Sequence, residues 1–207
     1  MASTTPATAV ILLLTLVTLA AASKVKFNVT EMLSEFPVFS TFNNLLSQTK
    51  LADQINNRQT ITVLVVDNSA ASAITSLPLE AQKKVLAVQV ILDYYDPVKL
   101  DGIMKNKTAQ LTTLFQASGG ATNSAGFLNY REGADDQMAF GSAEPGAPLS
   151  SKLVTVVASR PYNISVMQVS APIVPPSISQ SGSSKVAAAA PLPATTKANA
   201  SSSSLAS

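Results

Sequence analysis

The chain has 207 residues, of which 46% are apolar and 13% charged, with a formal net charge of +2. No basic stripe is present to neutralise phosphates, which excludes an electrostatic nucleic-acid binder. Cysteine, histidine and tryptophan are absent, so there is no thiolate chemistry or disulfide framework, and the commonest general base and metal ligand are missing.

Met1 to Ala22 carries no charged side chain. Its apolar run from Val10 to Leu19 ends in Ala20-Ala21-Ala22. That pattern reads as a signal peptide over 1–22, cleaved to leave Ser23. The run falls short of the ~20 residues needed to span a bilayer, so no transmembrane helix is expected after cleavage. Residues 24–175 have the size of one ordinary domain.

Helices come first. Asn28 or Thr30 can cap a short helix with Met32, Leu33 and Phe36 on one side. Pro37 opens a second helix, whose inner face is Val38, Phe39, Phe42, Leu45 and Leu46. Another turn or two of helix fits Leu51 to Arg58. The segment from Thr60 to Ala73, TITVLVVDNSAASA, is dense in β-branched residues up to Asp67 and reads as a central strand covered on both faces. The Asp67 carboxylate can cap the Ala-rich helix beyond it. A further helix is predicted from Ser76 to about Leu92, with Ala81, Val85, Val88 and Leu92 inward. Asp93 to Pro97 ends it, since the residue before proline avoids the α region.

From Thr108 the period changes. Strands are predicted over Thr108–Gln116, Gly126–Arg131, Gln137–Ser142, Lys152–Ser159 and Tyr162–Ser170, separated by glycine- and proline-containing breaks. Helices first and strands last predict an α+β fold, with N-terminal helices packed on a largely antiparallel sheet. Residues 176–207 are Ser-, Ala-, Pro- and Thr-rich with two lysines and no acid. That composition predicts a disordered tail.

Three stretches in order resemble the plant fasciclin-like arabinogalactan proteins, built on a fasciclin domain. These are Ile61–Ile74 (ITVLVVDNSAASAI), Val90–Leu100 (VILDYYDPVKL) and Tyr162–Pro176 (YNISVMQVSAPIVPP). The likeness spans Val25 to Pro176. It implies a single fasciclin domain, in which helices pack on a wedge-shaped sheet, and it marks Asp67, Asn68, Tyr94 and Tyr95 as motif positions. The family's usual histidine after the central tyrosine is Tyr95 here, which puts any role of that imidazole in doubt. Many relatives end in a hydrophobic tail directing a lipid anchor. This chain ends SSSSLAS, without the ~10–20 apolar residues of such a signal. The expectation is a secreted, extracellular protein, held on the outer face of the plasma membrane only if the C-terminus is incomplete.

N-glycan acceptor tripeptides stand at Asn28, Asn106, Asn163 and Asn199. Asn163 is placed at the start of a strand and is the weakest of the four. The resemblance implies hydroxylation and arabinogalactan chains on prolines beside small residues, here Pro172, Pro191 and Pro193. An extended chain of proline and small polar residues is open to glycosyltransferases. Asp93, Asp96 and Asp101, with Asp135-Asp136, form the notable acidic group. They lack the glycine and closing glutamate of a calcium loop and read as helix-end and turn carboxylates. Of Tyr94 and Tyr95, one is expected in the core and one at its rim. No Gly-x-Ser-x-Gly elbow occurs, and no catalytic residue, metal site or cofactor is assigned.

The functional expectation is a non-enzymatic, glycosylated adhesion or matrix-organising protein of the cell surface or wall. Its partner would be a cell-wall polysaccharide or a cell-surface protein. The alternative is a soluble carrier of a small apolar ligand held between helices and sheet.

Overall fold

The structure, a computed structural model, describes residues 27–103 and 107–183. The proposed signal peptide, Asn106, Asn199, Pro191 and Pro193 lie outside them.

Asn28, in extended backbone, caps α1 (Val29–Ser34). A 3-10 turn at Pro37–Phe39 leads into α2 (Ser40–Gln48). Proline suits this start because the first N–H of a helix has no intrahelical partner. Val38, predicted inward, is 49% exposed; the tight turn rotates it off the face that Phe39 and Phe42 share. Lys50, in the left-handed region at φ 58°, reverses the chain into α3 (Leu51–Asn56).

Strand β1 (Ile61–Val65) has all five residues buried, as a strand covered on both faces should. The Asp67 cap then starts α4 (Asn68–Thr75). Helix α5 runs Leu79–Val88 and does not reach Leu92. Val90–Ile91 instead forms β2, antiparallel to β1, with Val90 opposite Val63. Helix α6 (Pro97–Asp101) and β3 (Ala109–Thr112) follow. The predicted strand Thr108–Gln116 is cut short because its second half is α7 (Leu114–Ala117). The remaining strands are β4 (Phe127–Glu132), β5 (Met138–Ser142), β6 (Ser151–Arg160) and β7 (Ile164–Val169).

The sheet order is β2-β1-β7-β6-β5-β4-β3. Every neighbouring pair is antiparallel except β1 with β7, which run parallel from Ile61 opposite Ile164 to Val65 opposite Gln168. Strand β1 is therefore second from one end of the sheet, not central. Two register shifts along β6 add twist and bend, as bulges do. The sheet curls until its two ends touch: Ile91 bridges Thr113, and the Leu92 N–H donates to the Thr112 carbonyl at 2.9 Å. This contact shields a short stretch of edge from pairing with other chains.

Helices α1 to α3 bring Leu33, Phe42, Leu46, Leu51 and Ile55 into one core with Ile61, Leu64 and Val166 of the sheet. Residues from Pro176, assigned above to a disordered tail, begin with helix α8 (Pro176–Ser183). Ile178 is buried there, and Glu144 accepts from the Ser177 N–H at 2.9 Å and from its hydroxyl. The folded unit thus extends to Ser183, because one isoleucine and one capping carboxylate outweigh a Ser-rich composition.

At the other end of the sheet the Tyr130 and Phe140 rings meet at 5.3 Å, and the Tyr130 hydroxyl donates to the Leu100 carbonyl at 3.2 Å. Burial above all, then the Glu132 and Asp101 carboxylates, push the Tyr130 hydroxyl up to about 12. The unfolded chain therefore loses this proton first, so the contribution is whole below about pH 10 and is lost as pH rises towards about 12. Tyr130→Phe should flatten the fall in urea midpoint between about pH 9 and about pH 11. An unchanged alkaline slope would contradict this assignment.

Candidate functional site

The Asp-Asn pair after β1 caps two helices at once. Asp67 Oδ1 accepts from the Ala70 N–H at 2.9 Å and the Ser69 hydroxyl at 2.6 Å, starting its own helix. These bonds, the Ser69 hydroxyl first, hold its carboxyl below the usual range. Asn68 reaches back 27 residues. Its Oδ1 accepts from the Thr41 N–H at 2.9 Å, and its Nδ2 donates to the Pro37 carbonyl at 3.0 Å. It thereby ties the start of α2 to the start of α4. Sequence reasoning found the Asp67 cap; nothing local marks the second.

The second motif hangs on Thr62, the fully buried polar residue of β1. Its hydroxyl donates to the Asp93 carbonyl at 2.8 Å and accepts from the Tyr95 N–H at 2.7 Å. The loop from Asp93 to Asp96 is pinned to the sheet through this one oxygen. Tyr94 turns into the core, and its ring lies 5.8 Å from that of Tyr162, which is 80% exposed on the β6–β7 turn. Tyr95 stays at the rim, as expected of one of the pair. Lys99 Nζ sits 4.4 Å from its ring centroid, 2.7 Å from Asp93 Oδ2 and 2.8 Å from the Tyr94 carbonyl oxygen. The family's histidine position is thus filled here by a tyrosine under a lysine. Burial, then Asp96, pushes the Tyr94 hydroxyl up; burial, then Asp93, does the same for Tyr95 against the opposing Lys99.

Asp96 caps α6 through the Lys99 N–H at 2.8 Å. Asp93 is thus committed to a lysine and Asp96 to a helix start. Among the described residues no group of three or more His, Cys, Asp or Glu could hold a metal ion. Lys99 and Tyr162 were missed in the sequence because their partners are rings and carbonyls supplied by the fold.

Of the acceptor asparagines, Asn28 is exposed and spends only its Oδ1 on the fold. That oxygen accepts from the Thr30 N–H at 3.2 Å, the Thr30 hydroxyl at 2.7 Å and Asn56 Nδ2 at 3.3 Å. The bond that carries an N-glycan is to Nδ2. Asn163 lies in the turn before β7, not within the strand, and follows Tyr162 at φ 65°. Pro172 is half-buried and lines a 150 Å³ cleft with Pro148 and Pro176. It stands in the body of the domain, not in an accessible extended tail, because Ser151 holds the preceding Ala171 carbonyl at 2.6 Å.

A larger hollow of about 240 Å³ lies where α3, α5 and α7 meet, over Leu51, Ala87, Leu114 and Phe115 and beside Glu80, Lys83 and Lys84. Its size is below the usual ~300–1,000 Å³ of a pocket that encloses a small ligand, and charged side chains form much of its wall.

The fold is that of the fasciclin domain. A fasciclin domain pair of the insect cell adhesion molecule fasciclin I superimposes with a TM-score of 0.52 at 19% identity, covering 69% of this chain and 47% of that one. Fasciclin-like arabinogalactan protein 14 of Arabidopsis thaliana is 50% identical over 147 residues, 71% of this chain and 57% of its own length. Fasciclin-like arabinogalactan protein 10 of the same plant is 48% identical over 152 residues, 73% of this chain and 36% of its own length. The chain thus carries a fasciclin domain similar to those of the fasciclin-like arabinogalactan proteins, as the three stretches suggested. It spans about half the length, or less, of these curated relatives. No family model matches the chain.

Proposed function

We propose that this is a secreted, glycosylated, non-enzymatic protein of the plant cell surface or wall, whose fasciclin domain supplies a rigid face for adhesion or matrix organisation. The observation that carries the reading is the 50% identity to an arabinogalactan protein across the domain. The site chemistry agrees with it. The motif side chains Asp67, Asn68, Tyr94 and Tyr95 build and brace the fold, and Lys99 and Asp93 neutralise each other at 2.7 Å. Partners would be a cell-wall polysaccharide or a cell-surface protein, gripped weakly by each copy and firmly by many. Beads carrying many copies should adhere to isolated wall material or cell surfaces far more strongly than the monomer binds them. Equal and negligible retention of both would overturn the adhesive reading.

Glycosylation would use Asn28, and also Asn106, Asn163 and Asn199, with hydroxyproline-linked chains on Pro191 and Pro193. At Asn28 the cap and the glycan need opposite ends of one amide. Enzymatic release of the glycan converts the asparagine to aspartate, itself a good N-cap, and should leave the melting temperature nearly unchanged. Asn28→Gln should lose about 1 kcal/mol through the cap. Thr30→Ala, which abolishes the acceptor but spares the backbone caps, should stay within about 0.5 kcal/mol of the unglycosylated parent. Thermal melts of the three forms check the ordering, which would be wrong if Asn28→Gln were neutral.

A further inference from the structure

We infer that the trough along α5 is a binding site for a carboxylated polysaccharide. The inference names a ligand for the wall protein proposed above and rests on that reading only for the choice of a sugar polymer. A second hollow of about 180 Å³ lies beside the 240 Å³ one, between the turn that ends in Lys50 and the first residues of α5, and Glu80 and Lys83 border both. Two adjacent open hollows along one helix suit successive units of a chain better than one enclosed small molecule.

Charge selects the ligand. Lys50, Lys83 and Lys84 line the trough, opposed by Glu80 alone. Among the described residues, none of these lysines has a carboxylate within ion-pair distance. Lys99, by contrast, is spent on Asp93 at 2.7 Å. Lysine offers a hydrated point charge on a flexible stem, which suits carboxylates spaced along a polymer better than one fixed bidentate partner. Leu114 and Phe115 close the bottom of the hollow, and the 60% exposed Leu79 at the rim gives the C–H face of a sugar ring a surface to lie on. A flat membrane surface would not reach into the depression. An acidic peptide matches the charge but has no sugar-ring face to lay on Leu79.

The test is calorimetric titration of the purified full chain with de-esterified polygalacturonate oligomers. Fully methyl-esterified oligomers and polyglutamate are the comparison ligands. Binding should appear with the de-esterified sugar, fall on the order of tenfold or more in Lys83→Glu/Lys84→Glu, and be lost in about 1 M salt, where the Debye length is about 3 Å. Lys152→Glu, on β6 and outside the trough, should bind within about twofold of the parent. The milder Lys83→Gln/Lys84→Gln, with an unchanged melting temperature, should weaken binding in the same direction. No binding to polygalacturonate, unchanged binding by both double variants, or equal binding of polyglutamate or the methyl ester would each overturn the inference. Those outcomes leave the glycosylated, adhesive reading standing, since site occupancy and bead adhesion are measured separately.

Discussion

Thr62→Val should destabilise the domain by about 3 kcal/mol, or roughly 10 °C in melting temperature, though it removes one oxygen and keeps the shape. The Thr62 hydroxyl is both donor and acceptor, to the Asp93 carbonyl at 2.8 Å and from the Tyr95 N–H at 2.7 Å. Valine leaves two backbone groups without that partner inside the fold, each costing about 1–3 kcal/mol. Thr62→Ser keeps the hydroxyl and should lose only about 1 kcal/mol, the share of one buried methyl group. The loop gives an independent readout. Amide exchange at Tyr95 should accelerate in the valine variant and stay slow in the serine variant. A valine variant within about 0.5 kcal/mol of the parent would show that the Asp93–Asp96 loop is held by its side chains instead.

Gly141→Ala should be as damaging, by about 3 kcal/mol. Gly141 lies in β5 opposite Asn129, where the Ala147–Ser150 segment crosses close over the strand. A methyl group there would land on the Pro148 carbonyl oxygen, with Leu149 Cα only 3.1 Å away. Both obstacles are backbone, so no rotamer change relieves them. Gly146 makes the comparison clean: it sits at φ +80° with nothing within 4 Å of an added Cβ. Gly146→Ala should lose only the left-handed strain of about 1–2 kcal/mol. Urea midpoints should therefore order the parent above Gly146→Ala and Gly146→Ala above Gly141→Ala. The reverse order would mean that the Pro148 segment moves aside freely.

What was legible in the sequence was local. The β-branched run from Thr60 announced β1, and the Asp67 carboxylate had an Ala-rich helix directly beyond it to cap. Tripeptides containing Asn28 and Asn163 were equally plain, and three motifs in order carried the family. What was not legible depended on distance in sequence. The apolar stretch from Val85 to Leu92 fits the inner stripe of one helix, yet Gln89 ends it and Val90–Ile91 pairs with β1. Short apolar runs of this kind do not distinguish helix from strand. Helix α8 was hidden by a Ser- and Pro-rich composition because its order comes from Glu144, 33 residues earlier. Asn68 shows in the sequence only as a motif position, and its role appears when α2 arrives beside it. The lysines of the trough lie on a turn and a helix and become one surface only when α3, α5 and α7 meet.

The most direct measurement is mass spectrometry of the protein recovered from its native tissue, with site-resolved glycopeptides. The account predicts a polypeptide beginning at Ser23, sugar on Asn28, and hydroxyproline-linked chains at Pro191 and Pro193 with none at the half-buried Pro172. A bare polypeptide that still begins at Met1 would contradict it.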